Sequence, residues 1–198
     1  MTRHLVVVGQ TAVASPSFLL DDLPGTSGRL DVLARALRAA LLVSHGVRRD
    51  VVLDLVLCGG SDAPRTIRVD GAAVKFLRPD ERAAAVLLQK LLRMPAGARL
   101  GEVRPGISMA RAGLPTALAG ASDVVTLDPR GADLRHLSIA DDTIFVLGDH
   151  LGLGGDTRVE LARRGARSTS VGPVCVHTED AITLLHGELD RRDANRPR

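Results

Sequence analysis

Apolar residues recur along this chain in two patterns, short unbroken runs and stripes spaced three and four residues apart. The runs, with one short segment near the end, predict strands at 4–8, 51–57, 123–127, 143–147 and 168–171. The stripes predict helices over about 28–44, 79–93, 157–165 and 178–191. Because strands alternate with helices, the pattern predicts an α/β fold with a mostly parallel sheet.

The middle of the chain carries the most apolar strand, at 51–57. It is too apolar for one exposed face, so a central position in the sheet is expected. Shorter strands at 65–69 and 73–77 follow it and are expected to pair as a hairpin around Asp70-Gly71.

Length and aromatic content narrow the class of protein. The 198 residues suit one domain, expected over 1–198 with a frayed polar tail at 193–198. The core must be aliphatic, because the chain has no Trp, no Tyr and only three Phe. This shortage argues against a protein that reads single strands by stacking their bases on aromatic rings.

Positive charge is carried almost entirely by arginine. Of the 26 basic residues, two are lysines, Lys75 and Lys90, and the remaining 24 are arginines. Against 23 acidic residues this gives a net charge of +3, which permits a polyanionic partner without requiring one. A GC-rich genome would also explain the many arginines.

The sequence is typical of a cytoplasmic protein with reduced thiols. The apolar run at 5–8 is too short for the core of a signal peptide, and no run approaches the roughly 18 residues that span a bilayer. Cys58 and Cys175 form no CxxC pair, and the histidines form no zinc-binding motif. Neither a disulfide framework nor a metal site is therefore expected.

Two glycine-containing loops follow predicted strands, at 148–155 and 170–173. Ligands of α/β proteins bind beyond the carboxyl ends of strands, where glycines let them approach the backbone. The spacing fits neither a dinucleotide motif nor a P-loop. The loops are therefore expected to line a pocket for a neutral or adenosine-like ligand, with plain turns as the alternative.

Polar residues that could bind phosphate or accept a proton lie outside these two loops. Arg29, Arg35, Arg48 and Arg49 could form one phosphate-binding surface, although arginines beside a helix end also serve structural roles. Asp62 follows the central strand in a Gly-Ser loop, so it is the best lone carboxylate for general-base work. Aspartate is also a common turn residue, and that alternative stays open.

Six motifs carry a resemblance that runs nearly end to end. They are DLPGTSGRLDVL (22–33), SHGVRRDVV (44–52), RPDER (78–82), RPGI (104–107), IFVLGDHLGL (144–153) and AITLLHGELDRR (181–192). With these motifs in this order, the chain resembles the tRNA pseudouridine-54 N1-methyltransferases. These form the TrmY group of the SPOUT superfamily of S-adenosylmethionine (SAM)-dependent RNA methyltransferases.

The resemblance implies a fold, a cofactor and a partner. A SPOUT α/β fold with a carboxyl-terminal trefoil knot, a homodimer with the last helix at its interface, and a tRNA substrate are expected. SAM would be held mainly by the backbone of the knot loops, at Leu127, Gly148, Gly152, Val171, Val176 and Ala181. Asp62 would accept or orient the N1 proton of pseudouridine, and the four arginines would grip the tRNA loop around a flipped base.

The sequence departs from the family pattern just before the last helix. Relatives carry a polar segment that ends in Cys, whereas this chain reads Thr178-Glu179-Asp180-Ala181. Backbone binding of SAM should survive the change, but two added acids beside an RNA site leave other substrates open. The alternatives are another RNA, a free C-nucleoside, or a catalytically silent RNA-binding dimer.

Overall fold

The computed structural model describes residues 2–195. Its strands are β1 (Arg3–Val13), β2 (Leu42–Val43), β3 (Gly46–Val47), β4 (Val51–Gly59), β5 (Arg65–Asp70), β6 (Gly101–Arg104), β7 (Ile107–Ala110), β8 (Val124–Asp133), β9 (Ile144–Gly148) and β10 (Arg167–Ser170). Its helices are α1 (Leu23–Thr26), α2 (Leu30–Leu41), α3 (Glu81–Leu92), α4 (Leu114–Ala117), α5 (Gly155–Arg163) and α6 (Thr178–Ala194).

Eight strands form one sheet in the order β10-β8-β9-β1-β4-β5-β7-β6, and β2 and β3 form a separate hairpin. From β10 to β4 all neighbours run parallel, whereas β5, β7 and β6 join antiparallel. The mostly parallel α/β sheet is thus confirmed, as is the interior place of β4, between β1 and β5. The five parallel strands bring their carboxyl ends to one edge, where ligands of such sheets bind.

Helix α2 begins two residues later than the apolar stripe predicts. Gly28 and Arg29 have φ of 60° and 67°, so neither can be the first residue of a right-handed helix. A Cβ at Gly28 would lie 1.8 Å from the carbonyl oxygen of Thr11, so the turn requires glycine. Ser27 Oγ accepts the Leu30 N–H at 3.0 Å and stabilises the start of the helix.

The expected hairpin between 65–69 and 73–77 is wrong. The first segment is strand β5, but both of its edges are occupied, by β4 and by β7. The second segment therefore has no free edge to pair with, and it forms a turn beginning with Val74 N donating to Asp70 O at 2.8 Å. The true partner, β7, belongs to a hairpin with β6 that the sequence analysis missed.

The last helix ties the carboxyl-terminal region to the first strand. Arg3 is 2% exposed and donates from Nη1 to Asp190 at 2.6 Å and from Nη2 to Asp193 at 2.9 Å. The expectation of a frayed tail from residue 193 is wrong for residues 193 and 194, because both belong to α6. The remainder of that expected tail, 196–198, lies outside the described residues.

A buried histidine joins α6 to α2. His186 is 2% exposed, and its Nε2 lies 3.1 Å from the Ala40 carbonyl oxygen. A carbonyl only accepts, so Nε2 carries the proton, and Nδ1 accepts from Arg3 Nη1 at 3.3 Å. Burial, and then the positive charges of Arg48 and Arg3, lower the pKa of His186 to about 4. The imidazole is therefore neutral in the folded protein at neutral pH.

This histidine makes stability depend on pH. Because its pKa is about 4 when folded and 6.5 ordinarily, only the unfolded chain binds a proton between these values. The free energy of unfolding should therefore fall by about 2 kcal/mol from pH 7 to pH 5. Urea denaturation at both pH values measures it, and His186→Gln should flatten the slope while exposed His45→Gln keeps it. Equal slopes in wild type and His186→Gln would contradict this role.

Two further features of the described residues concern membranes and metal ions. Within residues 2–195, no helix is long and apolar enough to cross a membrane. In the same range, no group of three or more His, Cys, Asp or Glu residues is arranged to hold a metal ion. The trefoil knot stays a prediction.

Candidate cofactor and RNA site

Three loops meet at the carboxyl edge of the parallel strands. Strand β8 pairs with β10 at Thr126 and again only from Ala132, so the residues between them leave the sheet as one loop. A second loop follows β9 at 148–152, and a third follows β10 at 171–177. Since β8 lies between β9 and β10, these loops are neighbours.

A cavity of about 130 Å³ lies between the three loops. Its lining includes every residue expected to bind the cofactor: Leu127, Gly148, Gly152, Val171, Val176 and Ala181. It shares residues with a groove of about 740 Å³ on the side of α2 and with one of about 600 Å³ on the side of α6. The cavity alone is smaller than ordinary ligand pockets, so a nucleoside-sized ligand would extend into a groove.

Glycines shape the cavity in two ways. A Cβ at Gly148 would lie 2.1 Å from the carbonyl carbon of Gly152, so the second loop closes this tightly only with glycine there. Gly152 has a φ of 72°, in the left-handed region that favours glycine. A Cβ at Gly152 or Gly172 would meet no protein atom within 4 Å, which leaves room for a ligand against the backbone.

Side chains behind the cavity hold the loops in place. Asp149 accepts the Gln10 N–H at 2.7 Å with one oxygen and the Leu151 N–H at 2.9 Å with the other. Gln10 Nε2 donates to Gly152 O at 2.8 Å, and Thr178 Oγ1 donates to Gly148 O at 2.8 Å. The sequence analysis gave no such role to Gln10 or Thr178, because each acts on a loop more than 25 residues away along the chain.

The lining fits SAM. Leu127, Leu147 and Val171 supply apolar walls for an adenine ring, and the loop backbones supply donors and acceptors. Asp128 lies at the same cavity, where hydrogen bonds from the side chain and then the backbone of Arg130 lower its pKa to about 2. It is therefore a carboxylate at neutral pH, suited to ribose hydroxyls or a positive sulfonium.

Asp62 lies in the turn after β4, at the same edge of the sheet. Strand β4 is two places from β9 in the sheet, with β1 between them. The carboxylate is exposed, and no other described residue forms a hydrogen bond or ion pair with it. It is not among the residues that line the cavity. Asp62 is therefore free to meet a substrate at this edge.

Arg29 and Arg35 lie beside the larger groove. Arg29 Nε donates to Asp31 at 3.0 Å, and its side chain is 39% exposed. Arg35 is surrounded by three carboxylates, Asp31 at 2.9 Å, Glu81 at 3.0 Å and Glu179 at 2.7 Å. One of the two acids that depart from the family pattern is thus neutralised within the protein, while Asp180 stays exposed in the groove.

Arg48 and Arg49 lie beyond the other end of α2. Arg48 forms a double hydrogen bond to Asp190, at 3.0 and 2.8 Å. Arg49 Nη1 donates to the carbonyl oxygens of Gly71, Ala72 and Val74. Helix α2 is about 18 Å long, with Arg29 just before its first residue, Arg35 in its middle, and this pair beyond its last residue. The structure thus places the four arginines in two groups rather than in one surface.

Comparisons with known proteins agree with this geometry. Residues 2–194 match the family described as "Putative SAM-dependent RNA methyltransferase". The crystal structure of Archaeoglobus fulgidus Nep1 bound to S-adenosylhomocysteine has a TM-score of 0.65 and 16% identity, covering 98% of this chain and 100% of that chain. The fold and the family match define the class, a SAM-dependent RNA methyltransferase with the SPOUT fold.

Relatives of similar sequence identify the family within this class. One from Methanosarcina acetivorans is 39% identical over 197 residues, covering 98% of this chain and 93% of the relative. One from Halobacterium salinarum is 40% identical over 192 residues, covering 95% and 96%. Both are named tRNA (pseudouridine(54)-N(1))-methyltransferase, and this chain belongs to that family.

Proposed function

We propose that this protein transfers the methyl group of SAM to N1 of pseudouridine at position 54 of tRNA. The observation that carries the proposal is the cavity between three strand-end loops, lined by all six residues expected at a SAM site. Membership of the family adds the substrate, because its named relatives act on that nucleotide of tRNA.

The loops would bind the cofactor and exclude water from it. Leu127, Leu147 and Val171 would flank the adenine, while the backbone at Gly148 and Gly152 approaches the ligand without side chains between them. Bound SAM supplies an electrophilic methyl group. The contribution of the protein is to hold both reactants in line and to remove solvent from between them.

Asp62 would act on the proton of the target base. Pseudouridine N1 is an imide-type nitrogen, and it becomes a good nucleophile only as its proton leaves. An exposed carboxylate at the same edge of the sheet, without a hydrogen bond or ion pair to a described residue, can accept that proton or orient the base. Arg29, partly exposed beside the groove, is the best placed of the four arginines to contact RNA there, and contacts by Arg35, Arg48 and Arg49 remain expectations.

A homodimer and a cytoplasmic location also belong to the proposal. Leu184 is 46% exposed on α6, and it lines the groove of about 600 Å³ together with Val171 and Gly172. A second subunit packed against α6 would cover this leucine and enclose the cofactor cavity from that side. The free thiols of Cys58 and Cys175 fit a reducing compartment.

Methyl transfer to defined RNA tests the proposal. Purified protein and SAM are incubated with a tRNA transcript that carries pseudouridine at position 54, and the methylated nucleoside is identified by mass spectrometry after digestion. We expect methylation at N1 of that nucleotide and none on the matched transcript with uridine at 54.

Further substrates separate the alternatives. Equal methylation of both transcripts would remove the stated specificity, and methylation of free pseudouridine alone would indicate a nucleoside enzyme. SAM binding without transfer to any of these substrates would favour a silent RNA-binding protein. No SAM binding at millimolar concentration would contradict the proposal at its first step.

A further inference from the structure

One aromatic ring lies outside the core. Phe76 is 96% exposed, whereas Phe18 and Phe145 are buried. Its backbone has a φ of 61°, a left-handed conformation that costs a bulky residue about 1–2 kcal/mol. An exposed phenylalanine held in a strained conformation is unusual enough to need a reason.

The loop that presents this ring is fixed on its amino-terminal side. Val74 is 1% exposed, and a Cβ at Gly106 would lie 2.3 Å from the Val74 nitrogen, so the hairpin of β6 and β7 packs closely on this segment. Arg49 donates to the Gly71 and Val74 carbonyl oxygens at 2.9 and 3.3 Å. Phe76 therefore projects from a braced turn two residues beyond a buried side chain.

A cavity of about 470 Å³ lies beside the ring. Its apolar lining includes Leu37, Leu77 and Leu87, and its basic lining consists of Arg78, Arg82, Lys90 and Arg104. Apolar walls with a basic rim and an exposed ring suit a ligand that has both flat apolar faces and negative charge.

The charges of this rim are mostly not neutralised within the protein. Arg82 pairs with Asp21 at 2.8 Å, and the one acid in the lining, Asp80, accepts the Ala83 N–H at the start of α3. No described residue forms an ion pair or hydrogen bond with the side chains of Arg78, Lys90 or Arg104. We call Phe76, Arg78, Lys90 and Arg104 the Phe76 surface.

This surface lies toward the amino ends of the parallel strands, because Gly71 N donates to Val51 O at the start of β4 at 2.8 Å, whereas the cofactor cavity lies at their carboxyl ends. Arg35 contacts Glu179 at the groove and Glu81 at the first residue of α3. Two residues further along α2, Leu37 lines the cavity beside Phe76. Helix α2 thus runs from the groove of the cofactor site toward the Phe76 surface.

We propose that the Phe76 surface binds the RNA substrate outside the cofactor site, with one unpaired base stacked on Phe76 and phosphates on Arg78, Lys90 and Arg104. The inference rests on the proposed function only in that the partner is RNA. An aromatic ring stacks on any base, and neighbouring cations hold the backbone of the same strand. The ring would set the position of the loop, while the cations would supply salt-dependent affinity.

Direct binding of a tRNA TΨC stem-loop, measured by fluorescence anisotropy without SAM, tests the surface. Phe76→Leu keeps apolar bulk but removes the ring, so binding should weaken at least about fivefold, whereas Phe76→Tyr should bind as wild type. Replacing Arg78, Lys90 and Arg104 together by glutamine should lower the slope of log Kd against log salt by about 2. Matched controls on α5, Val159→Ala and Arg163→Gln, should change neither.

Several outcomes would overturn the inference. A Phe76→Leu variant that binds RNA with wild-type affinity would show that the ring does not stack on RNA. A protein partner would then be the remaining explanation for the Phe76 surface. An unchanged salt slope in the triple variant would remove the phosphate contacts. The proposed function is tested separately: Phe76-dependent binding without methylation contradicts only that function, whereas methylation with an unchanged KM for tRNA in Phe76→Leu contradicts only this surface.

Discussion

Gly148→Ala is expected to weaken SAM binding by about 100-fold. The new Cβ would lie 2.1 Å from the carbonyl carbon of Gly152 and 2.3 Å from its oxygen, and because these are backbone atoms no side chain can rotate away. The loop at 148–152 would have to shift, which displaces three of the residues that line the cavity, Gly148, Asp149 and Gly152. Isothermal titration calorimetry with SAM measures the loss, and circular dichroism confirms that the variant is folded.

Gly155→Ala is the matched control for this prediction. It adds the same methyl group a few residues away, at the start of α5, where a Cβ would meet no atom within 4 Å. Its affinity for SAM should equal that of the wild type. If folded Gly148→Ala also bound SAM normally, the loop after β9 would not hold the cofactor.

Asp62→Ala is expected to lower kcat for tRNA methylation by about 100-fold, the range of a lost proton acceptor. The KM for SAM should not change, because Asp62 is not part of the cavity lining. Single-turnover methylation at saturating SAM isolates the effect. Asp62→Asn then separates the two roles: a proton acceptor predicts the same loss, whereas an orienting residue predicts that most of the rate is kept.

Asp180→Asn is the control for the second prediction. Asp180 is an exposed carboxylate that lines the groove sharing residues with the cofactor cavity. Its substitution should leave kcat nearly unchanged. A large loss in Asp180→Asn together with normal turnover in Asp62→Ala would move the proton-handling role to α6.

The apolar pattern was sufficient for the parallel half of the sheet. Strand β9 is a continuous apolar run and β4 is interrupted only by the buried Asp54, because both faces of these strands are buried, and such runs stand out in any sequence. The pattern failed in the antiparallel half. Strands β6 and β7 are short and joined across Pro105 and Gly106, so turn residues mask them, and their pairing with β5 depends on which edge is free.

The candidate site was predictable to different degrees. Glycines after strands indicated where the cavity between the loops lies, because backbone approach requires them, and the family resemblance added Leu127 and Val176 to the residues expected there. The arginines were not interpretable in the same way, since Arg35 and Arg49 differ only in what folds against them. The number of aromatic residues likewise does not show which of them are exposed. The exposure of Phe76 follows only from the fold.

The position of β1 in the sheet has a consequence for synthesis of the protein. It leaves the ribosome before the other strands of this sheet, yet it lies between β4 and β9, and β9 is made more than 100 residues later. Arg3 on that strand also needs Asp190 and Asp193, near the carboxyl terminus. The nascent chain must therefore keep an apolar strand edge unpaired, and a chain truncated before 190 would leave a buried guanidinium short of two carboxylates.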